Sequence, residues 1–247
     1  MDAYREDLAY IHDTGHGAVA RDAAGRLIRE LTTGGHRRGT VVDLGSGSGI
    51  LAGALEETDY HVVGIEMSEA MVALARARAP DAEFRVGSFV GADLPTSVAV
   101  TAIGEVVSYA FDPANGHAAL ADLLRRAYEA LVPAGVILFD IAGPDRTPTG
   151  ESHRTYATGP DWAVLVETAI EPATGILTRQ ITSFRKVGVL YRRDIEIHHL
   201  VLRDPGAVLE MLREAGFEAE ILSRYGSVPL PRGVAGFLGR KPRPDAV

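Results

Sequence analysis

The feature that most constrains the fold lies at residues 40–50. Here a glycine-rich turn separates a β-branched apolar segment from a segment whose apolar residues have helical spacing. Val41, Val42 and Leu44 are typical of a short buried strand. Three glycines at alternate positions then turn the chain, and apolar residues recur at helical spacing from Ile50 onward. A strand, a glycine turn and a helix in this order can cradle a nucleotide. Glycines remove the Cβ atoms that would block the ligand, and the helix N-terminus offers free N–H groups.

Two kinds of ligand fit this corner. Gly47, Gly49 and Ala52 match the G-x-G-x-x-A form of a dinucleotide fingerprint, which favours an NAD-dependent oxidoreductase. Asp43, however, stands two residues before the first glycine. A carboxylate there would repel a pyrophosphate but would suit a cationic ligand, such as one that carries an ammonium group. The corner alone leaves both alternatives open.

The run D-L-G-S-G-S-G, which starts at Asp43, closely resembles the first motif of class I S-adenosylmethionine-dependent methyltransferases. In that family the turn cradles the amino-acid half of the cofactor. Glu66-Met67-Ser68, after the next predicted strand, is similar to the second motif, and a carboxylate there can accept hydrogen bonds from both ribose hydroxyls. NAD sites also carry an acidic residue at this position, so Glu66 indicates nucleoside binding without choosing between the two cofactors. The closing order of helix, A-G-F, strand, turn and strand at 205–240 is also similar to the family.

The resemblance implies an α/β fold: a doubly wound, Rossmann-like, seven-stranded, mostly parallel sheet with an antiparallel last strand. It divides the chain into an N-terminal helical lid (1–35), a cofactor-binding core (36–145 and 204–247) and an inserted antiparallel β cap (146–203). Extended stretches joined by short returns predict the hairpins of the cap. A similar insertion in sugar N,N-dimethyltransferases and glycine N-methyltransferase-like enzymes covers the substrate pocket or builds a dimer contact.

Two segments are predicted to be loops. Residues 143–160 are rich in Gly, Pro and Thr, and the run I-H-D-T-G-H-G at 11–17 is predicted to be a loop that ends at a helix.

The resemblance also assigns cofactor contacts, residue by residue. Ser88 stands where the family usually carries Asp or a similar group, so its hydroxyl or the Phe89 amide would take that contact. The residues assigned to the cofactor are Asp43, Gly45, Ser46, Gly47, Ile50, Glu66, Met67, Ser88, Phe89, Ile103 and Gly104.

Glu105 follows the fourth predicted strand, at the edge of the sheet where doubly wound folds bind ligands. It is the first candidate for a general base, and His12 of the lid is the second. Capping or solvation of these side chains is the competing interpretation. Tyr109, His153 and His198 are candidates for the acceptor pocket, although an aromatic residue at 109 is as often part of a core. Adjacent His198 and His199 would point to opposite faces of a strand, so no metal site is predicted.

Composition excludes some classes of function. The net charge of −8 argues against non-specific nucleic-acid binding, and no apolar run approaches the length of a membrane span. Cysteine is absent, so disulfides and thiolate metal sites are excluded. We expect a cytoplasmic protein with a small-molecule partner, neither nucleic acid nor membrane, and the family resemblance leaves a homodimer open. An acidic pocket would suit an amine acceptor.

The sequence thus predicts an S-adenosylmethionine-dependent methyltransferase that acts on a small molecule, by N- or O-methylation through in-line displacement at the sulfonium methyl. A protein of the same fold that binds the cofactor for another reaction or for regulation is the first alternative, because fold does not determine reaction. An NAD-dependent oxidoreductase is the second.

Overall fold

The computed structural model describes residues 3–56, 58–147 and 152–244. The helices of these ranges are α1 (Glu6–Gly15), α2 (Ala18–Thr33), α3 (Ile50–Leu55), α4 (Glu69–Arg78), α5 (His117–Ala130) and α6 (Pro205–Glu214). The strands are β1 (Arg38–Leu44), β2 (Asp59–Glu66), β3 (Glu83–Val86), β4 (Ser97–Ala102), β5 (Leu131–Ala142), β6 (His153–Thr158), β7 (Trp162–Ile170), β8 (Ile176–Val187), β9 (Leu190–Val201), β10 (Glu218–Leu222) and β11 (Val234–Arg240).

The main sheet has seven strands in the order β10-β11-β5-β4-β1-β2-β3. Strand β11 runs antiparallel to both of its neighbours, and the pairs from β5 through to β3 are parallel. The chain leaves β1 toward β2 on one side and returns to β4 on the other. The carboxyl ends of β1 and β4 therefore form the switch point where such sheets bind ligands. The predicted fold class is confirmed.

Helices cover both faces of this sheet, because successive strand residues point to opposite sides. Val41 packs with α2, α3 and α4, whereas Val42 packs with α5 and α6. Helix α4 begins at Ser68, whose Oγ accepts a hydrogen bond from the Met71 amide at 3.1 Å. That cap ends β2 directly after Glu66 and so places the Glu66 carboxylate at the switch-point edge.

The four cap strands form an antiparallel sheet in the order β6-β7-β8-β9. Along β9, Glu196, His198 and Leu200 are buried and the residues between them are exposed, so His198 and His199 lie on opposite faces, as predicted. Helix α1 packs against the inner face of the cap through Leu8 and Ile11. The cap and α1 together close the region above the switch point.

Both loop predictions were wrong in part. Residues up to Gly15 belong to α1, because burial of the apolar face of that helix against the cap outweighs the weak helical preference of its last residues. Residues 153–158 form the edge strand β6, which pairs with β7 through its backbone although its side chains are polar and mostly exposed. Residues 148–151 lie outside the described ranges, and the division into lid, core and cap stays a prediction.

Within the described residues, no helix is both long enough and apolar enough to cross a membrane.

Candidate cofactor and acceptor site

The glycine corner is built as the motif predicted. Gly45, Gly47 and Gly49 have φ angles of +61°, +54° and +74°, a region that other residues rarely adopt. The Gly45 amide donates to the carbonyl oxygen of Ile65 at 2.7 Å, which ties the turn to β2. A Cβ atom on Gly45 would also clash with the Val106 side chain. The corner therefore needs glycine both for its backbone shape and for the close approach of the segment after β4.

The Glu66 carboxylate lies beside this corner. Its Oε2 accepts from the Gly47 amide at 3.1 Å and its Oε1 from the Ser68 amide at 2.8 Å. A carboxylate oxygen can accept two hydrogen bonds, so each oxygen keeps one position for a ligand hydroxyl. Burial raises the pKa of Glu66, while these amides lower it. The arrangement suits the two hydroxyls of a ribose.

Asp43 lies beneath the turn and is 3% exposed. The Thr101 hydroxyl donates to its Oδ1 at 2.7 Å, and burial raises the pKa of Asp43 to about 7. A cationic ligand group nearby would favour its charged form. Ser46 Oγ is also buried and has no hydrogen-bond partner among the described residues. Neither Asp43 nor Ser46 is part of a cavity wall, so their contact with the amino-acid half of S-adenosylmethionine stays a prediction.

A crevice of about 140 Å³ runs from this corner along the ends of the strands. Seven of the residues predicted to contact the cofactor line it: Gly45, Gly47, Glu66, Met67, Phe89, Ile103 and Gly104. The other four predicted residues, Asp43, Ser46, Ile50 and Ser88, are not in its wall. Ser88 Oγ instead accepts from the Val90 amide at 3.1 Å. These contact assignments all stay predictions.

A second cavity, of about 630 Å³, lies between the switch point, α1 and the inner face of the cap. This volume is in the usual range for a small-molecule site. The two cavities share six wall residues: Tyr4, His12, His16, Val19, Gly104 and Tyr109. Gly104 has φ +97°, and a Cβ atom built on it would meet nothing within 4 Å. The backbone at Gly104 therefore borders open space where the crevice and the larger cavity meet.

Glu105 follows at φ +62° and is 7% exposed. Its Oε1 accepts from Arg146 Nε at 2.8 Å and its Oε2 from Arg179 Nη2 at 2.7 Å. The two guanidinium groups lower the pKa of Glu105 against the opposing effect of burial. A general base works best when its pKa is near the working pH. The catalytic assignment of Glu105 stays a prediction, and this geometry favours a role in holding the two arginines.

His12 lines both cavities, which agrees in place with its predicted role at the acceptor. Its ring meets the Tyr4 ring edge-on at 5.3 Å and stacks on His16 at 5.6 Å. Burial lowers the pKa of His12 to about 4, and Nδ1 has no hydrogen-bond partner among the described residues. The ring is therefore neutral at pH 7, and as a base it is weak.

We expect the substitution His12→Gln to make the protein more resistant to acid. The pKa of His12 is lower in the folded protein than in the unfolded chain, where it is about 6.5. Its contribution to stability is therefore fully present above pH 6.5 and is lost as the pH falls toward 4. Between pH 7 and pH 5, wild type should lose about 2 kcal/mol more of its free energy of unfolding than the variant does. Urea unfolding at the two pH values measures this. His61→Gln, exposed on β2, is the control, and equal acid losses in wild type and His12→Gln would contradict the burial of a neutral His12.

The three predicted substrate residues have different positions. Tyr109 lines both cavities, and its hydroxyl accepts from Arg179 Nη1 at 3.1 Å. His153, on β6, lines the larger cavity. His198 is 1% exposed, is hydrogen-bonded to Glu196 at 3.0 Å and lies behind the Tyr4 ring, outside both cavity walls. These assignments also stay predictions.

Several wall residues were not among the predicted site residues. Arg146, Arg179 and Arg232 line the larger cavity together with Thr147. Arg179 occupies an inward position of β8, and strand alternation could have identified it. The other three lie in irregular segments, where nothing in the sequence indicates which way a side chain points.

Comparison with known proteins agrees with this geometry. Residues 41–135 match the family model described as a methyltransferase domain. The chain is similar to a probable S-adenosylmethionine-dependent methyltransferase of Mycolicibacterium smegmatis, with 28% identity over 55% of this chain and 54% of that protein. It is also similar to the trans-aconitate 2-methyltransferase of Paracidovorax citrulli, with 27% identity over 80% of this chain and 74% of that protein. The solved structure of a sugar N-methyltransferase from a Streptoalloteichus species matches 98% of this chain and 94% of its own, with a TM-score of 0.72 and 24% identity.

The strand order and the glycine corner define the class I methyltransferase fold. Residues 41–135 are a methyltransferase domain, and the chain has the class I methyltransferase fold that the motif resemblance predicted. The predicted cofactor, S-adenosylmethionine, is confirmed with it. The match to the M. smegmatis protein spans about half of that protein's length.

Proposed function

We propose that this chain transfers a methyl group from S-adenosylmethionine to a small molecule bound in the larger cavity. The observation that supports this most directly is the junction at Gly104, where the cofactor crevice opens into a second cavity of about 630 Å³. A protein that only bound the cofactor would not need this second space.

The bound cofactor supplies an activated methyl group on a sulfonium centre, so the protein's task is to position an acceptor and exclude water. Reactant alignment of this kind can supply a large share of a rate enhancement. Tyr4 and His12 of the lid segment and Tyr109 after β4 belong to the wall shared by the two cavities. Tyr4 is held over it, because its amide donates to Glu196 at 2.8 Å and its hydroxyl lies 2.9 Å from that of Tyr109.

Two features support a small acceptor. The cavity between α1, the cap and the core has a volume that suits a small molecule, and the net charge of −8 disfavours nucleic acid. The relatives bear names of two acceptor kinds, a sugar nitrogen and the carboxylic acid trans-aconitate. A cofactor-binding protein without transferase activity is the second candidate, favoured by the lowered pKa values of Glu105 and His12, the two groups predicted to act as the base.

Calorimetry tests cofactor binding first. S-adenosylmethionine and S-adenosylhomocysteine should bind with micromolar dissociation constants, and NAD should not bind. Incubation with a panel of amines, alcohols and carboxylic acids, read as release of S-adenosylhomocysteine, then tests transfer. Binding of NAD alone would contradict the cofactor. Tight cofactor binding without turnover on any acceptor class would favour the second candidate.

A further inference from the structure

The larger cavity has a cationic wall. Arg146, Arg179 and Arg232 line it, against the two carboxylates Glu105 and Asp140. The sequence suggested that an acidic pocket would suit an amine, and the observed wall is the opposite of such a pocket. An amine acceptor would meet guanidinium groups there, whereas an anion would be attracted.

The three arginines keep donors available for a ligand. A guanidinium carries five N–H donors. Arg179 uses two in its hydrogen bonds to Tyr109 and Glu105. Arg146 likewise makes two hydrogen bonds, to Glu105 and to the carbonyl oxygen of Arg232. The exposed side chain of Arg232 makes no hydrogen bond or ion pair with any described residue. One Glu105 charge is thus shared by two arginines, which leaves a net positive charge on this side of the cavity.

A buried hydroxyl points to a ligand at the same place. Thr147, next to Arg146, is 4% exposed and lines the cavity, and its Oγ1 has no hydrogen-bond partner among the described residues. Opposite it, the strand register aligns His153, Thr168 and Arg179 in one row across β6, β7 and β8. All three side chains line the cavity. Hydroxyl and guanidinium donors therefore converge on the cavity from the segment after β5 and from strands β6, β7 and β8.

The groups near the junction are poor general bases. Asp140, 1% exposed, already accepts hydrogen bonds from the Gly104 and Glu105 amides and from the Tyr225 hydroxyl. Glu105 is held by two guanidinium groups, and His12 is neutral with a depressed pKa. An ammonium or hydroxyl acceptor would have to lose its proton to one of these groups or to His16, which lines both cavities and whose pKa burial also lowers. A carboxylate arrives without a proton to lose.

We propose that the methyl acceptor is a carboxylic acid, bound as its carboxylate by Arg179, Arg146 and the Thr147 hydroxyl, and that the product is its methyl ester. This inference rests on the proposed methyl transfer. A carboxylate oxygen forms the new O–C bond as the S–C bond breaks, and the electron pair of the broken bond stays on sulfur. The negative charge of the carboxylate and the positive charge of the sulfonium disappear together, so no proton is transferred.

The junction geometry supports a carboxylate as the reacting group as well as an anchor. Arg179 donates to the hydroxyl of Tyr109, a residue of the wall shared by the two cavities. Only the Tyr109 side chain therefore lies between the Arg179 guanidinium group and the cofactor crevice. Guanidinium groups bind carboxylates with two parallel hydrogen bonds, which would also fix the direction of the reacting oxygen.

The test uses succinate, glutarate, tricarballylate and benzoate, each paired with its neutral amide, together with an amino sugar and a sugar phosphate. At least one acid should release S-adenosylhomocysteine, its amide should not, and the product should liberate methanol in mild base. Calorimetry with S-adenosylhomocysteine present should show binding of that acid and not of its amide. Turnover confined to the amine or the phosphate, or a base-stable product, would overturn the inference. The proposed transferase function would survive that result and would fail only if no acceptor class turned over.

Variants of the wall residues test where the acid binds. Arg179→Lys keeps the charge but loses the paired N–H donors of the guanidinium group, and Arg232→Gln removes an exposed charge that has no partner among the described residues. We expect the KM for the acid to rise at least 10-fold in the first and about 5-fold in the second, with the dissociation constant of S-adenosylhomocysteine within 2-fold. Arg193→Gln, exposed on β9 and outside the cavity, is the matched control and should not change either value. An unchanged KM in both wall variants would overturn the assignment.

Discussion

Replacing Glu66 with alanine is expected to lower the affinity for S-adenosylmethionine about 100-fold and to leave the fold intact. The carboxylate keeps two acceptor positions after its hydrogen bonds to the amides of Gly47 and Ser68. Each hydrogen bond to a charged group contributes about 1.5–3 kcal/mol, so the loss of two accounts for a change of at least this size.

Stability should not fall in parallel. Burial raises the pKa of Glu66, which means that the folded protein holds this charge at a cost. Its removal relieves that cost, while water can reach the two freed amides because the crevice is open. Glu66→Gln, with one acceptor oxygen left, should show an intermediate affinity. Calorimetry measures the dissociation constant, and thermal unfolding without ligand measures the fold.

Glu69→Ala is the matched control, since Glu69 is an exposed acid in the first turn of α4 and lines neither cavity. It should bind the cofactor like wild type. A wild-type dissociation constant in Glu66→Ala would remove Glu66 from the cofactor site, and equal losses in both acid variants would indicate a general effect of charge.

The main sheet could be predicted because its signals are local. The glycine corner needs positive φ angles within a few residues of an apolar strand, and Ser68 and Pro205 mark the starts of two helices in the sequence itself. These short-range requirements hold wherever the rest of the chain lies. The strand β6 had no such signal, because its side chains are mostly polar and exposed and it is held mainly by backbone pairing with β7.

The acceptor site could not be predicted in the same way, because its contacts join distant parts of the chain. Glu105 was identified from its place after β4, but its partners Arg146 and Arg179 lie 41 and 74 residues further on. Only the docking of the cap brings these charges together, and it reverses the expected sign of the pocket. Strand alternation predicted that His198 and His199 face opposite sides. It could not show that the Tyr4 ring, 4.9 Å from the His198 ring, separates His198 from the cavity.

Replacing Glu105 with glutamine is the second large effect that we expect. The variant should lose about 3 kcal/mol of its free energy of unfolding at pH 7, because removal of one partner leaves two buried or half-buried guanidinium groups without a counter-charge. The folded pKa of Glu105 is lowered. The contribution of Glu105 to stability is therefore present above its pKa in the unfolded chain, about 4.3, and is lost as the pH falls through its pKa in the folded protein. The stability difference between wild type and variant should be constant from pH 8 to pH 6 and should shrink below about pH 4.

Turnover distinguishes a base from a residue that holds the arginines. If Glu105 acts through Arg179, the double variant Glu105→Gln/Arg179→Gln should be little slower than either single variant, since residues that act as a unit are not additive. If Glu105 removes a proton, the two rate losses should multiply. Glu167→Gln on β7, which breaks an exposed ion pair with Arg154, is the control and should change neither stability nor turnover. Multiplicative losses with an unchanged midpoint of unfolding would return Glu105 to the role of general base, and the acceptor would then be a group that has a proton to lose.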